Sequence, residues 1–351
     1  MTKRSKKVLI ITYYWPPSGG AGVQRWVKFC KYLPQFGWEP VVLTVKNGTY
    51  PLIDQTLEHD VSPSTIVERS SILEPYTLFG KLTGKNSKEV ATPSKAFSSD
   101  GSRLKQMGIW VRSNIFIPDA RVGWYPFGIR KARSIIRTHG IDTVITTAPP
   151  HSTHLIGHTL KKSTPELTWI MDMRDPWSEI FYNQYLPRLA PAKALDLFLE
   201  TSCLTLADHA ILATEGMKTV QERILNRDYH VITNGFDPDD FPERTKEKKN
   251  PVLTIKHVGT LTSTAIPHTL FKALATSAGK DWKLVFVGSV NPEVEHIVQS
   301  LGITEHVEHT GYLPHLKAKE EMQDADLLLV SLPEGKDNKL IMTGKIFDYI
   351  G

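Results

Sequence analysis

The chain has 351 residues, of which 40% are hydrophobic and 23% charged, a balance that fits folded α/β domains and excludes a disordered or fibrous chain. Its net charge of +5 suits phosphate-bearing ligands or an anionic membrane surface without demanding either. Two cysteines exclude a disulfide framework, and no stretch approaches the roughly 20 apolar residues of a membrane-spanning helix.

The basic head at residues 1–7 leads into a short apolar run at 8–14, which reads as a first β-strand and not as a signal peptide. A glycine-rich turn follows. Val23, Val27, Cys30 and Leu33 then recur at helical spacing, Gly37 ends the helix, and 40–45 is the next strand. This is one βαβ unit. Further strands are predicted at 65–68, 142–147, 168–173, 210–214 and 230–233, with helices at 127–138, 154–162, 192–207 and 217–225. Residues 80–106, rich in Gly, Ser, Lys and Thr, read as a mobile loop.

A charged stretch at 239–250 reads as a linker between an N-terminal domain, 1–238, and a C-terminal domain, 251–351. The second alternation has strands at 253–258, 283–287, 307–309 and 326–331, and helices at 267–278, 292–301 and 316–322. The fold class expected is α/β, with two tandem Rossmann-like, doubly wound parallel sheets. Residues 343–351 read as the opening of a helix, so the second half is expected to be incomplete and the chain a C-terminally truncated form with weak or no activity.

Five segments carry candidate chemistry. Gly19, Gly20 and Gly22 follow the first strand and allow close backbone approach to a ligand at a helix N-terminus, or form a plain turn. A dinucleotide fingerprint would need glycine where Arg25 stands, and an acid near Val45 and Lys46, so an NAD site is not expected. His151 and His154 end the strand at 142–147, either as sugar-hydroxyl partners or as turn histidines. Arg174, Asp175 and Trp177 end the next strand and read as cleft residues, with Trp177 able to stack on a sugar, whereas Asp172 reads as structural. Asp119 and Arg121 lie at 114–124, which reads as a functional loop or a packed crossover. Lys345 and Asp348 stand one turn apart at a helix start, where Lys345 could neutralise a diphosphate and Asp348 accept from ribose hydroxyls. No histidine spacing suggests a metal, Asp237 to Asp240 reads as a turn, and no basic stripe suggests nucleic acid.

Taken in order, Tyr13 to Gly22, Val231 to Asp237, His257 to Thr260 and Gly344 to Tyr349 resemble retaining family-4 glycosyltransferases of the GT-B fold, over essentially the whole chain. The resemblance implies a metal-independent transferase that needs no cofactor and takes a nucleotide-diphospho-sugar donor, held mainly by the second domain, with the acceptor on the first. It implies Gly19, Gly20, Gly22, Gly259 and Thr260 beside the phosphates, Lys345 on the diphosphate and Asp348 in the ribose role. The reading of the residues themselves gives His151, Arg174 and Asp175 as the catalytic candidates and Asp119, Arg121 and Trp177 as the acceptor-side ones. The acceptor would be a saccharide or a lipid-linked one in cell-surface polysaccharide synthesis. The setting would be cytoplasmic, with a peripheral inner-membrane contact suited by the basic head and the 80–106 loop. Three positions depart from the family. The first acid of its Glu-seven-residues-Glu pattern falls on Leu340, residues 261–265 lack its usual basic residue, and His151 is displaced from the histidine of its fourth-strand loop. An epimerase of the same fold and a non-catalytic nucleotide-binding module are the alternatives.

Overall fold

The computed structural model describes residues 6–50, 52–74, 103–180, 183, 186–241, 251–277, 281–332 and 343–351. Two compact units divide the chain, Met1–Thr233 and Asn234–Gly351.

In the first unit the strands are β1 (Lys6–Ile11), β2 (Trp38–Val45), β3 (Ile66–Ser70), β4 (Thr143–Ala148), β5 (Thr168–Met173), β6 (His209–Leu212) and β7 (His230–Val231). Its helices are α1 (Ala21–Tyr32), α2 (Arg103–Ile115), α3 (Tyr125–His139), α4 (Ser152–Ser163), α5 (Ala190–Leu206) and α6 (Glu215–Ile224). The strands form one parallel sheet in the order β3-β2-β1-β4-β5-β6-β7. Helices cover both faces, so the central strands are apolar without alternation. On β1, Leu9 and Ile11 pack with Ile129, Ile135 and Ile156 on one face, while Val8 and Ile10 pack with Val23, Val27 and Cys30 on the other. Both cysteines are buried and free, and burial pushes both thiols up.

The strand order reverses between β1 and β4. Chains leave that point to opposite sides, which opens a crevice at the carboxyl ends of the strands. The turn after β1 and the turn after β4 both lie at this edge.

The second unit holds β8 (Leu253–Val258), α7 (His268–Thr276), β9 (Trp282–Val287), α8 (Glu293–Ser300), β10 (Val307–Gly311), α9 (His315–Gln323), β11 (Leu327–Leu328) and α10 (Gly344–Ile350). Its parallel sheet runs β10-β9-β8-β11. Phe271, Leu284, Phe286, Val294 and Val298 form its main core.

Three local expectations differ from the structure. Residues 103–106 of the predicted loop begin α2, and the rest, 80–102, lies outside the described residues. The 114–124 segment is packed: it closes α2 and ends in a short turn where Trp124 is buried and donates from Nε1 to Ser70 Oγ at 2.7 Å. The last predicted strand, 326–331, is reduced to two paired residues. At the start of the predicted linker, Pro238–Asp240 is a turn closed by the Asp237 carboxylate, which accepts from Asp239 N, and residues 242–250 lie outside the described residues.

Candidate functional site

At the carboxyl edge of the first sheet, Gly20 adopts φ 98°, a left-handed conformation that an L side chain rarely takes, and so lets the chain turn from β1 into α1. Gly19 donates its N–H to Leu52 O at 2.9 Å. Gly22 lies under Arg174: a Cβ there would stand 2.9 Å from Arg174 Nη1, and the Gly22 carbonyl accepts from that guanidinium. Two predicted site segments, far apart in sequence, therefore meet.

Asp172 and Arg25 lie just beneath. Arg25 Nη2 pairs with Asp172 Oδ1 at 3.0 Å, and Arg25 also donates to the carbonyls of Ile232 and Thr233, both at 2.9 Å. Trp26 Nε1 and Thr147 Oγ1 donate to Asp172 Oδ2 at 2.7 and 2.8 Å. This carboxylate joins β4, β5 and α1, the structural role expected of it. Arg25, noted in the sequence only for not being glycine, is its buried partner.

His151 precedes α4 and is buried, its ring stacked on Trp177 with centroids 5.2 Å apart and planes at 14°. Burial, and then the charges of His154 and Arg174, hold the His151 imidazole far below its ordinary value, so it is neutral at pH 7. Burial pushes His154 down to about 3, and its Nδ1 lies 2.8 Å from Thr146 Oγ1. Asp175, at the same edge, is half-buried, and burial raises its carboxyl against the lowering charge of Arg174.

The residues expected on the acceptor side are held within the fold. Trp177 is 1% exposed and donates from Nε1 to Asp196 Oδ1 at 2.8 Å, so its ring is covered. An indole is too apolar to leave uncovered where a histidine ring and a carboxylate can enclose it. Asp119 accepts from Ser152 N, Ser152 Oγ and Arg121 N, each at 2.8 Å, and so places a negative charge at the first turn of α4. Arg121 is buried, donates to Thr49 O at 2.9 Å, and lies 3.6 Å from Glu74 and over the ring of Tyr13. Tyr13 and Thr49 both donate to the same Glu74 carboxylate. Sequence spacing gave no sign of the Arg121–Glu74 pair.

In the second unit, β8 is followed by Gly259 at φ +116° and β9 by Gly288 at φ +124°. A Cβ on Gly288 would meet Gly259 O at 2.5 Å, so the two backbones close against each other only because residue 288 is glycine. A Cβ on Gly259 would meet Lys345 Cε at 2.6 Å. The vacant side of Gly259 is thus filled by the lysine stem. Lys345 Nζ lies 3.0 Å from His257 Nε2 and 3.2 Å from the carbonyl of Thr260. Burial lowers Lys345 to about 8. Burial and then the Lys345 charge lower His257 to about 4.

Asp348 is one turn on, as the sequence placed it, but its carboxylate accepts from the buried Lys319 at 2.6 Å. The ammonium of Lys319 also sits over the ring of Phe241. Tyr349 Oη accepts from Val258 N at 2.9 Å and so ties α10 to β8. His257, Lys319 and Tyr349 are roles that the sequence did not signal. The Leu340 position lies outside the described residues.

Two Rossmann-like parallel sheets in tandem are the architecture of the GT-B fold, and the chain has that fold. In sequence, residues 237–334 match the family described as "Glycosyl transferases group 1". No curated protein sequence matches the chain. Solved structures share the fold at low identity. A sucrose-phosphate synthase from Thermosynechococcus elongatus aligns with TM-score 0.58 and 15% identity over 94% of this chain and 77% of its own. Anabaena Alr3699/HepE, in complex with UDP and glucose, aligns with TM-score 0.53 and 14% identity over 92% of this chain and 73% of its own. S. aureus TarM, in complex with UDP among other ligands, aligns with TM-score 0.54 and 9% identity over 94% and 81%.

Proposed function

We propose that the protein is a metal-independent, retaining glycosyltransferase that takes a nucleotide-diphospho-sugar and passes its sugar to a saccharide or lipid-linked acceptor in cell-surface polysaccharide synthesis at the cytoplasmic face of the membrane. The observation that carries this reading is Lys345, a cation drawn into the carboxyl edge of the second sheet, at Gly259 and Thr260. An ammonium held there offers a preset charge for a departing diphosphate, the kind of electrostatic help that needs no metal. The match of 237–334 to a glycosyltransferase family and the UDP in two of the similar structures support it.

In this reading Gly259 and Thr260 act with Lys345 on the donor diphosphate. Asp348 takes the ribose hydroxyls, with Lys319 fixing its carboxylate. Gly19, Gly20 and Gly22 form the wall of the first unit's crevice. His151, Arg174 and Asp175 line the same edge, with neutral His151 acting as a hydrogen-bonding group and not as a cation. Asp119, Arg121 and Trp177 support the acceptor side from beneath.

Thermal-shift titration with UDP, GDP, ADP and NAD tests the donor class. A ligand at 100 times its Kd that binds only folded protein adds about 2.7 kcal/mol. A rise in Tm with one nucleoside diphosphate and none with NAD is expected. A rise with NAD alone, or with none of the four, would remove the donor reading.

A further inference from the structure

The first half of helix α5 has its polarity reversed, whereas its second half buries Cys203 and Leu204 in the ordinary way. Its buried stripe carries Asp196 and Glu200, both bound inside the unit: Asp196 by Trp177 and Arg188, Glu200 by Ser178 and Gln221. Its outward side carries Leu195, Leu197 and Phe198, the last 66% exposed. An ordinary surface helix shows the opposite arrangement. A helix segment whose acids point in and whose largest apolar side chains point out is built for a cover that is not water.

Helix α2 extends that surface. Asn114 at its end donates to Pro187 O at 2.8 Å and accepts from Leu189 N at 2.7 Å, which fastens α2 to the turn that enters α5. Ile115 and Leu189, both exposed, therefore adjoin, and Trp110 is exposed one turn earlier in α2. Among the described side chains of α2 the one ionisable residue is Arg112, which is basic. In α5 the one ionisable residue outside the buried stripe is Lys193. Among their described side chains the two helices therefore present apolar groups with Lys193 and Arg112 and no exposed acid. No helix among the described residues is long and apolar enough to cross a membrane.

We propose that the outer faces of α2 and α5 form a docking surface for an anionic phospholipid bilayer, with Trp110, Leu195 and Phe198 entering the headgroup boundary and Lys193 meeting the phosphates. Apolar insertion and electrostatic attraction act together at such interfaces. The cations Lys193 and Arg112, with no acid exposed among the described side chains of either helix, favour this occupant over a basic or neutral protein face. The use of the surface to reach a lipid-linked acceptor rests on the transferase reading; the docking does not.

Flotation of the full chain with phosphatidylcholine vesicles, with and without phosphatidylglycerol, and with no nucleotide present, tests it. The chain should float with the anionic vesicles and much less with the neutral ones. The double variant Leu195→Ser/Phe198→Ser should lose most of the bound fraction while keeping its Tm. Lys193→Glu should weaken binding by about fivefold or more, the effect of removing one cation near a charged surface. Trp110→Phe should abolish a vesicle-induced blue shift of fluorescence. Absence of binding to anionic vesicles, or binding indifferent to these variants, would overturn the proposal. So would a dimer in solution that Leu195→Ser/Phe198→Ser dissociates, which would assign the face to a second copy. Sugar transfer is assayed separately with a soluble saccharide acceptor, so a failure of the transferase reading leaves the vesicle result readable.

Discussion

Lys345 and His257 are joined head to head, Nζ to Nε2 at 3.0 Å, and the direction of that bond is fixed from the far side of the ring. His257 Nδ1 lies 2.9 Å from the carbonyl of Leu329, which can only accept, so Nδ1 carries the proton and Nε2 offers its lone pair to the ammonium. A lysine lowered to about 8 is charged at pH 7 and loses its proton over the next units. If it holds a diphosphate, affinity for a nucleoside diphosphate should be flat below pH 7 and fall as pH rises through about 8. Isothermal titration across pH 6.5 to 9.5 reads this directly. Lys345→Arg, which stays protonated, should remove the alkaline fall. His257→Phe takes away the acceptor and should shift the fall while leaving the fold intact; an unchanged profile in both variants would mean that another cation holds the phosphates.

The Lys345 shift also has a sign for stability. Its folded value lies below its unfolded value of 10.5, so between about 8 and 10.5 the unfolded chain binds more protons. This group therefore makes the protein relatively more stable as pH rises through that window. Lys345→Met should lose that rise in a urea series.

Arg25 and Asp172 form a buried pair, with side chains 1% and 0% exposed. Removing one partner of a buried pair leaves the other charge without compensation, at a cost of about 3–5 kcal/mol. Asp172→Asn is expected to reach that range in denaturant unfolding. The exposed pair Lys317–Glu320, at 2.7 Å, is the control. Its loss should cost less than about 1 kcal/mol despite the shorter distance.

The order of strands and helices was legible because it rests on local rules. Buried parallel strands read as apolar runs, helices show a stripe, and Gly20 and Gly37 stand where the chain must turn. The association of Lys345 and Asp348 with one helix was legible for the same reason. The partners of the polar side chains were not. Glu74 meets Arg121, Lys319 meets Asp348 and Asp196 meets Trp177 only because separate elements pack. No spacing rule carries that information. Trp177 shows the consequence most clearly: its place at a strand end was correct, yet whether its ring is open or covered depends on His151 and Asp196, which arrive from other elements. The reversed polarity in the first half of α5 was hidden too, since an apolar helix with two acids looks ordinary until its inner face is known.

His151 and His154 are buried neutral, which makes acid a specific stress. Their folded values lie below the unfolded value of 6.5, His154 at about 3. Below pH 6.5 the unfolded chain takes up protons that the folded chain refuses, so the stability they confer is present above 6.5 and falls as pH drops. Each such histidine adds a slope of about 1.4 kcal/mol per pH unit once the unfolded form is protonated. Equilibrium unfolding between pH 7 and 4 should show the steep fall. His154→Asn should make it shallower by about one proton, and an unchanged slope would mean that the imidazole is not held neutral.

Two glycines in adjoining segments should respond to alanine in opposite ways. Gly123 follows Arg121 and Val122 in a tight turn, and a Cβ there would lie 1.9 Å from the carbonyl oxygen of Leu73. Backbone cannot give way as a flexible side chain can. Gly123 N–H and C=O also lie in the turn that receives Leu73, whose N–H donates to Gly123 O at 3.3 Å. Gly123→Ala should therefore cost about 3 kcal/mol or more, at the upper end of overpacking. It should also disturb Arg121 and Trp124, which flank it. Gly108 lies inside α2 with nothing within 4 Å of a built Cβ. There alanine meets no obstacle and restricts the unfolded chain, so Gly108→Ala should stabilise by about 0.5–1 kcal/mol. Paired Tm measurements on the two variants decide the point, because equal and small effects would show that the Leu73 carbonyl does not press on the 121–124 turn.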